Sequence, residues 1–329
     1  MKVFLAGCLL VLLALGSDAG AGAAPIDELI KGAKQEGTIE FYAPSTLTPQ
    51  GAQALSAAFN KKYGIIVKMQ YSPSGNMTRD IGKVVGLGAS GVPPEWDLMV
   101  VTDAHHATLW VKKMHQAFDY KSIGVDVKAI QYDGGSVSFA NQFVLPAYNK
   151  KLVPAKDVPK SWEDLLSPKW KGKIGVSSAT HHMARLAVGA WGEEKTTHFV
   201  KELTKQDLIL GRLGEIYNRL LLGEIVVAVS LSDSEAKSDK NKNAPVVFAE
   251  AVSPLIAPAY HAGVPKNAAH PKAGHLFAAF LATAEAQKIW DKYAGQTSVL
   301  IPGTPAYKYV QGKKVVYINQ EHAETVDRL

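Results

Sequence analysis

Short apolar bursts recur along the chain, each followed by a polar turn and then by a stretch with helical spacing. The first burst is residues 38–42 (TIEFY). Its turn covers 43–49 and its helix 50–63, in which Ala54, Leu55, Ala58 and Phe59 recur on one helix face. A second burst spans 65–71, with a turn over 72–76 and a helix opening near Met77. The third, 97–101, runs into Thr102 and Asp103, residue types that cap helices. Strand, turn and helix in repeated order predict a mostly parallel, doubly wound α/β sheet.

The rhythm breaks at 136–148, a long β-like segment carrying Pro146, and then starts again. Residues 173–176 predict a strand, 177–181 a turn and 183–191 a helix. Residues 225–230 predict another strand, which ends in Leu231-Ser232-Asp233-Ser234. A strand over 245–256 is expected to return to the first lobe, followed by a helix containing Leu276, Phe277 and Phe280. A last helix over 287–293 and a hairpin around 311–313 complete the chain. Two sheets joined by two strand crossovers leave a cleft between lobes, and ligands of open α/β sheets bind beyond the carboxyl ends of the strands. Helices that start there turn unpaired N–H groups and a positive dipole end toward the cleft, which suits carboxylate, phosphate or sulfonate groups. The expected division is 1–23 a signal peptide, 24–144 the first part of lobe 1, 145–248 lobe 2, and 249–329 the return to lobe 1 with C-terminal helices and hairpin.

Composition narrows the classes. The apolar run 3–15 behind Lys2, followed by the small residues 19–24, fits a cleavable export signal. The cut is expected after Ala23, because a cut after Ala24 would leave Pro25 first. The run is short of the ~20 residues a membrane-spanning helix needs. Residues 5–8 (LAGC) also match a lipobox that would acylate Cys8, but almost no apolar core precedes it. The chain has 1 cysteine, and it lies within that signal. Disulfides, thiolate metal sites and cysteine nucleophiles are thereby excluded from the processed protein. A length of 329 residues suits two lobes rather than one core. The net charge of +6 is compatible with an anionic ligand. Nucleic-acid binding would need clustered Lys and Arg, whereas the densest run, 237–242, is interleaved with Asp239 and reads as a solvated loop.

Residues 161–174 (SWEDLLSPKWKGKI), a few positions after 145–150 (LPAYNK), resemble the crossover region of bacterial extracellular solute-binding proteins, the periplasmic receptors of ABC importers. The likeness is greatest to the class that contains the ferric-ion-binding proteins. Residues 58–65 (AFNKKYGI), 222–228 (LGEIVVA) and 267–271 (NAAHP) through Phe280-Leu281 add motifs in the same order, so the resemblance covers nearly the whole processed chain. It implies a type II periplasmic-binding fold of two doubly wound α/β lobes joined by a two-strand hinge. It further implies a periplasmic monomer, without cofactor or catalysis, that closes on a small solute and delivers it to an ABC permease in the inner membrane. The iron ligands of the class are not matched. Its adjacent tyrosines fall on Asp233-Ser234, its first-loop histidine on Thr46 and its carboxylate near Thr102 or Asp103, and no Tyr-Tyr pair occurs in the sequence. The resemblance therefore points to an organic or inorganic anion, or a metal–anion complex. A ferric receptor with non-tyrosine ligands and a periplasmic sensor subunit are alternatives. A hydrolase or lyase is least favoured, since no Walker loop, Gly-x-Ser-x-Gly elbow or His-Glu-x-x-His helix is present.

Candidate solute contacts follow the predicted strands: Ser45, Thr46, Ser74, Gly75, Asn76, Thr102, Asp103, Ser177, Ser178, Thr180, His181, Ser232 and Asp233. The same residue types are ordinary helix N-caps. The pairs His105-His106 and His181-His182 could each bring one imidazole to an anion or metal, since neighbours on a helix point ~100° apart; His181 and His105 are the better placed. Arg79 and Arg185, each about a turn into a helix, could grip a carboxylate or phosphate. Tyr42, Tyr71, Trp96, Tyr148 and Tyr260 could line the pocket or flank the hinge. Trp162 and Trp170 read as packing residues, and Glu163 and Asp164 as the first turn of a helix capped by Ser161.

Overall fold

Strand pairing sorts the chain into two sheets. The computed structural model describes residues 25–178, 181–238 and 243–328, without the side chains of His181, Lys237 and Ser238. The signal expected over 1–23, Thr180, and most of the charged loop over 237–242 lie outside the described residues. The first sheet has the order β2-β1-β3-β12-β5-β4. Its members are β1 (Thr38–Pro44), β2 (Lys68–Ser74), β3 (Leu98–Thr102), β4 (Ile130–Gln131), β5 (Ser136–Asn141) and β12 (Ala259–Gly263). The second has the order β13-β11-β6-β9-β7-β8, with β10 beside β6. It comprises β6 (Val144–Asn149), β7 (Ile174–Ser177), β8 (Ile209–Gly211), β9 (Val227–Ser232), β10 (Val246–Phe248), β11 (Leu255–Ile256) and β13 (Val315–Val316).

Helices cover both sheets. They are α1 (Pro25–Glu36), α2 (Thr48–Tyr63), α3 (Met77–Ala89), α4 (Asp103–Val111), α5 (His181–Leu186), α6 (Glu193–Thr204), α7 (Leu213–Leu222), α8 (Asp233–Ser238), α9 (Pro271–Leu281), α10 (Ala284–Ala294), α11 (Pro305–Tyr309) and α12 (Ala323–Arg328). Apolar residues at helical spacing turn α2 onto the first core, where Leu55 and Phe59 are buried with Phe277, Phe280 and Trp290. Each phenylalanine buried this fully contributes roughly 1.5–3 kcal/mol. Gly64, at φ 63°, terminates α2 in the left-handed conformation that glycine adopts at no steric cost. The second core gathers Trp162, Leu165, Trp170 and Ile174 around Leu186, Phe199 and Val227. The indole N–H of Trp162 donates to Pro254 O at 3.0 Å, and the Ser161 hydroxyl accepts from Asp164 N–H at 3.2 Å. The motif over 161–174 is thus a packing element, as its residues predict, although its helical turns are 3₁₀ rather than α.

Two register pairs orient the sheets. Tyr260 of β12 lies opposite Thr102 at the end of β3, and Val144 of β6 opposite Ser232 at the end of β9. The carboxyl ends of the parallel strands in both sheets therefore lie beside the crossovers at 142–143 and 257–258, and face the gap between the lobes.

The C-terminal part departs from expectation. Residues 245–256 do not return to the first lobe: β10 and β11 both pair with β6 in the second sheet, and the returning strand is β12. No hairpin forms around 311–313. Instead β13 adds in parallel to β11, and the chain then crosses back, seating Ala323 against Ala107 and Tyr132. An apolar strand's sequence states that it will be buried, not which sheet it joins; Pro254 and Pro258, which lack the ladder N–H, divide the segment where it changes sheets.

Candidate functional site

The first lobe presents β2, β3 and their following helices to the gap. Asn76 caps α3, its Oδ1 accepting from Arg79 N–H at 3.0 Å. The Arg79 side chain is 73% exposed and touches Asp80 at 2.8 Å. Burial works to raise the Asp80 carboxyl, but hydrogen bonds from Tyr42 and Arg79 outweigh it and hold it below the usual range. Ser45 is exposed and Ser74 half-buried. Gly75 forms the bend between β2 and α3. Thr46 Oγ1 is buried without a hydrogen-bond partner among the described residues. Thr102 Oγ1 is 2.8 Å from His105 Nδ1, and Thr78 Oγ1 is 3.2 Å from His105 Nε2, so that imidazole joins α3 to α4. Burial, then the charge of Arg185, lowers the His105 pKa to about 4. His106 is fully buried in another direction, with Nδ1 2.9 Å from His115 Nε2 and Nε2 3.0 Å from His261 O; it belongs to the core.

Asp103 and Arg185, both read from sequence as solute contacts, meet each other. Arg185 donates to Asp103 Oδ2 at 2.8 Å and to Oδ1 at 2.5 Å, and both side chains are 0% exposed. Ala259 N–H, just past a crossover, also donates to Asp103 Oδ2, at 3.1 Å. The first turn of α4 is thereby fixed to α5 of the other lobe.

The second lobe brings the ends of β7, β8 and β9 to the gap. Ser177 is buried, while Ser178 is exposed and donates its N–H to Gly211 O at 2.8 Å. His182 is buried, and burial followed by the charge of Arg185 lowers its pKa to about 3. Ser232 Oγ donates to Gln142 Oε1 at 3.0 Å. Asp233 and Phe143 exchange two bonds, each 2.8 Å long: Asp233 N–H to Phe143 O, and Phe143 N–H to Asp233 Oδ1. Tyr260 is buried nearby, its hydroxyl pushed upward first by burial and then by the charges of Asp233, Glu235 and Asp103. Tyr148 lies opposite Val227, at the end of β9 remote from the crossover, and does not reach the gap. Tyr71 donates to Pro44 O and Trp96 packs on Tyr42, so both serve the first lobe.

Arg212 was not among the residues read from sequence. It is exposed, follows β8 directly and precedes α7, so it occupies the gap-facing edge of the second lobe. The signal for it is weak, because β8 is three residues long and only partly buried. An inter-lobe pocket of about 460 Å3 lies beside the crossovers, lined in part by Phe143, Asp233, Phe248, Asp291 and Tyr309. Among the described residues no group of three or more His, Cys, Asp or Glu is arranged to hold a metal ion.

A family model for bacterial extracellular solute-binding proteins matches residues 54–314. No curated protein matches the chain. Solved structures with the same architecture include iron-bound HitA from Pseudomonas aeruginosa, at 17% identity, covering 88% of this chain and 98% of that one with a TM-score of 0.67. The Trichodesmium IdiA (FutA) protein in complex with iron and citrate is 18% identical, over 89% of this chain and 98% of that one, with a TM-score of 0.67. AfuA from Actinobacillus pleuropneumoniae, with fructose-6-phosphate bound, is 17% identical over 88% and 96%, with a TM-score of 0.68. At these identities the likeness establishes the fold, that of type II periplasmic binding proteins.

Proposed function

The chain belongs to the bacterial extracellular solute-binding protein family, and from that premise we propose that it is the periplasmic receptor of an ABC importer that captures a small anionic solute between its lobes. The observation that carries the solute class is a pair of exposed arginines on facing edges. Arg79 stands in the first turn of α3 and Arg212 immediately before α7, one in each lobe. A guanidinium beside unpaired helix N–H groups suits a phosphate or carboxylate. Asp103 and Arg185 neutralise each other and leave this local excess of positive charge intact. Two of the structural neighbours were solved with an anionic molecule, citrate in one and fructose-6-phosphate in the other, which supports the reading. Bare ferric iron fits less well, since Asp233 and Ser234 stand where the class has its tyrosines.

In this reading residues 1–23 direct export, the processed chain works as a monomer, and a cleft contact set of Ser45, Ser74, Asn76, Ser178, Arg79 and Arg212 closes on the solute. One lobe is built on the first sheet and the other on the second, with β11 and β13 belonging to the latter. Calorimetric titration of residues 24–329 with phosphate, sugar phosphates, citrate and iron citrate tests it. At least one anion is expected to bind. Arg79→Ala and Arg212→Ala should each weaken it by about tenfold or more, as loss of a charge-assisted hydrogen bond implies, with the ligand-free melting temperature unchanged. Failure of every anion to bind, or indifference of the bound one to both substitutions, would refute the anion assignment.

A further inference from the structure

The inter-lobe pocket beside the crossovers has a chemistry different from that of the arginine-bearing edges. Its volume, about 460 Å3, lies within the ~300–1,000 Å3 typical of small-molecule sites. Phe143, Phe248 and Tyr309 of the second lobe form apolar walls, and Asp291 closes the side of the first lobe. Three carboxylates line it, from Asp233, Glu250 and Asp291, and no lysine or arginine does.

These carboxylates are not equally committed. Glu250 is met by Lys313 at 2.8 Å and by the Tyr309 hydroxyl at 2.6 Å. Asp233 uses Oδ1 for Phe143 N–H. Asp291 is half-buried and has no ion-pair partner among the described residues. The rings are suited to a cation as well. Tyr309 packs against Phe143 with centroids 4.6 Å apart and already holds the Lys313 ammonium 3.7 Å from its own centroid. Burial raises the Tyr309 hydroxyl, and the Glu250 and Asp233 charges add to the shift, as a field of negative sign requires.

We propose that this pocket takes an organic ammonium group with an apolar body, held by Asp233 and Asp291 as counter-charges against the Phe143–Tyr309 rings. Charge complementarity selects the cation, and the aromatic walls select methyl or methylene groups around it over a bare, strongly hydrated ion. Because Asp233 and Asp291 belong to different lobes, the ammonium group would draw the lobes together. It could be the second charged end of the captured solute or a separate small cation, and the pocket stands independently of the anion assignment.

Calorimetric titration and thermal shift with choline, phosphate and phosphocholine test the proposal on the whole processed chain. Choline is expected to bind and to raise the melting temperature. Asp291→Asn and Asp233→Asn should each weaken it about tenfold or more; the second variant keeps an acceptor for Phe143 N–H, and ligand-free melting reports whether either variant is misfolded. Phosphocholine binding at least tenfold tighter than both choline and phosphate would make the ammonium part of one solute. Equal choline affinity with and without saturating phosphate, and no gain for phosphocholine, would make it a separate cation. The proposal is overturned if wild type binds neither choline nor phosphocholine better than phosphate, or if both asparagine variants bind choline as wild type does. The phosphate arm and the arginine variants report separately on the anion reading.

Discussion

Asp103 and Arg185 lie 82 positions apart in sequence and in different lobes, yet they form a doubly hydrogen-bonded ion pair with no exposed side-chain surface. A buried pair of this kind adds little net stability, because desolvation of both charges offsets their attraction. Removing one partner is different, since the other charge is left buried. Arg185→Met should therefore destabilise by about 3–5 kcal/mol in urea unfolding. The double variant with Asp103→Asn should recover part of that loss. Full additivity of the two single effects would contradict the coupling.

Acid should weaken the fold well before the carboxylates titrate. Burial lowers His115 and His182 to about 3 and His261 and His275 to about 4, and takes His106 well below the usual range. The sign follows from linkage. These groups are neutral when folded and bind protons once unfolded at pH below about 6.5, so the stability they contribute is complete above that pH and declines as pH falls toward 4. The loss is on the order of 1.4 kcal/mol per pH unit for each such histidine. Melting temperature measured from pH 7.5 to pH 5 should fall steadily; a flat profile would mean the imidazoles are not held neutral.

Trp162 and Glu163 are neighbours with opposite expected sensitivity. Trp162 is fully buried and hydrogen-bonded to Pro254 O, whereas Glu163 pairs with Lys195 at the surface. Trp162→Ala should cost about 3–5 kcal/mol, and Glu163→Ala less than about 1 kcal/mol. Equal effects would remove the packing role assigned to the motif.

The C-terminal segment should act as a clasp. Gln320 exchanges two hydrogen bonds with Asp133, Ala323 is fully buried, and Asp327 and Arg328 reach Lys112 in one lobe and Glu193 in the other. A chain ending at Ile318 should melt at a lower temperature and show a larger radius of gyration in solution scattering. Unchanged values for both would show that residues after 318 do not hold the lobes.

Most of the first lobe was legible in sequence because its strands and helices alternate locally. Residues 38–42, Phe59, Asn76 and Thr102 occupy the elements their spacing predicts. β8 was not legible, being three residues long and followed by an ordinary-looking arginine. With it went Arg212, the residue that now carries half of the anion reading.

Periodicity, the Gly-Glu turn before β9 and the motif over 161–174 determined by themselves that this is a two-lobed α/β solute-binding protein, because each records which face of a local element is buried. Local pattern says nothing about partners far along the chain. Only the tertiary structure decided that Asp103 and Arg185 neutralise each other, that His106 faces His115 rather than solute, and that β11 and β13 join the second sheet. Charge compensation and strand pairing depend on which surfaces meet when two lobes assemble, and that is settled by the energy of the whole arrangement rather than by any segment in it.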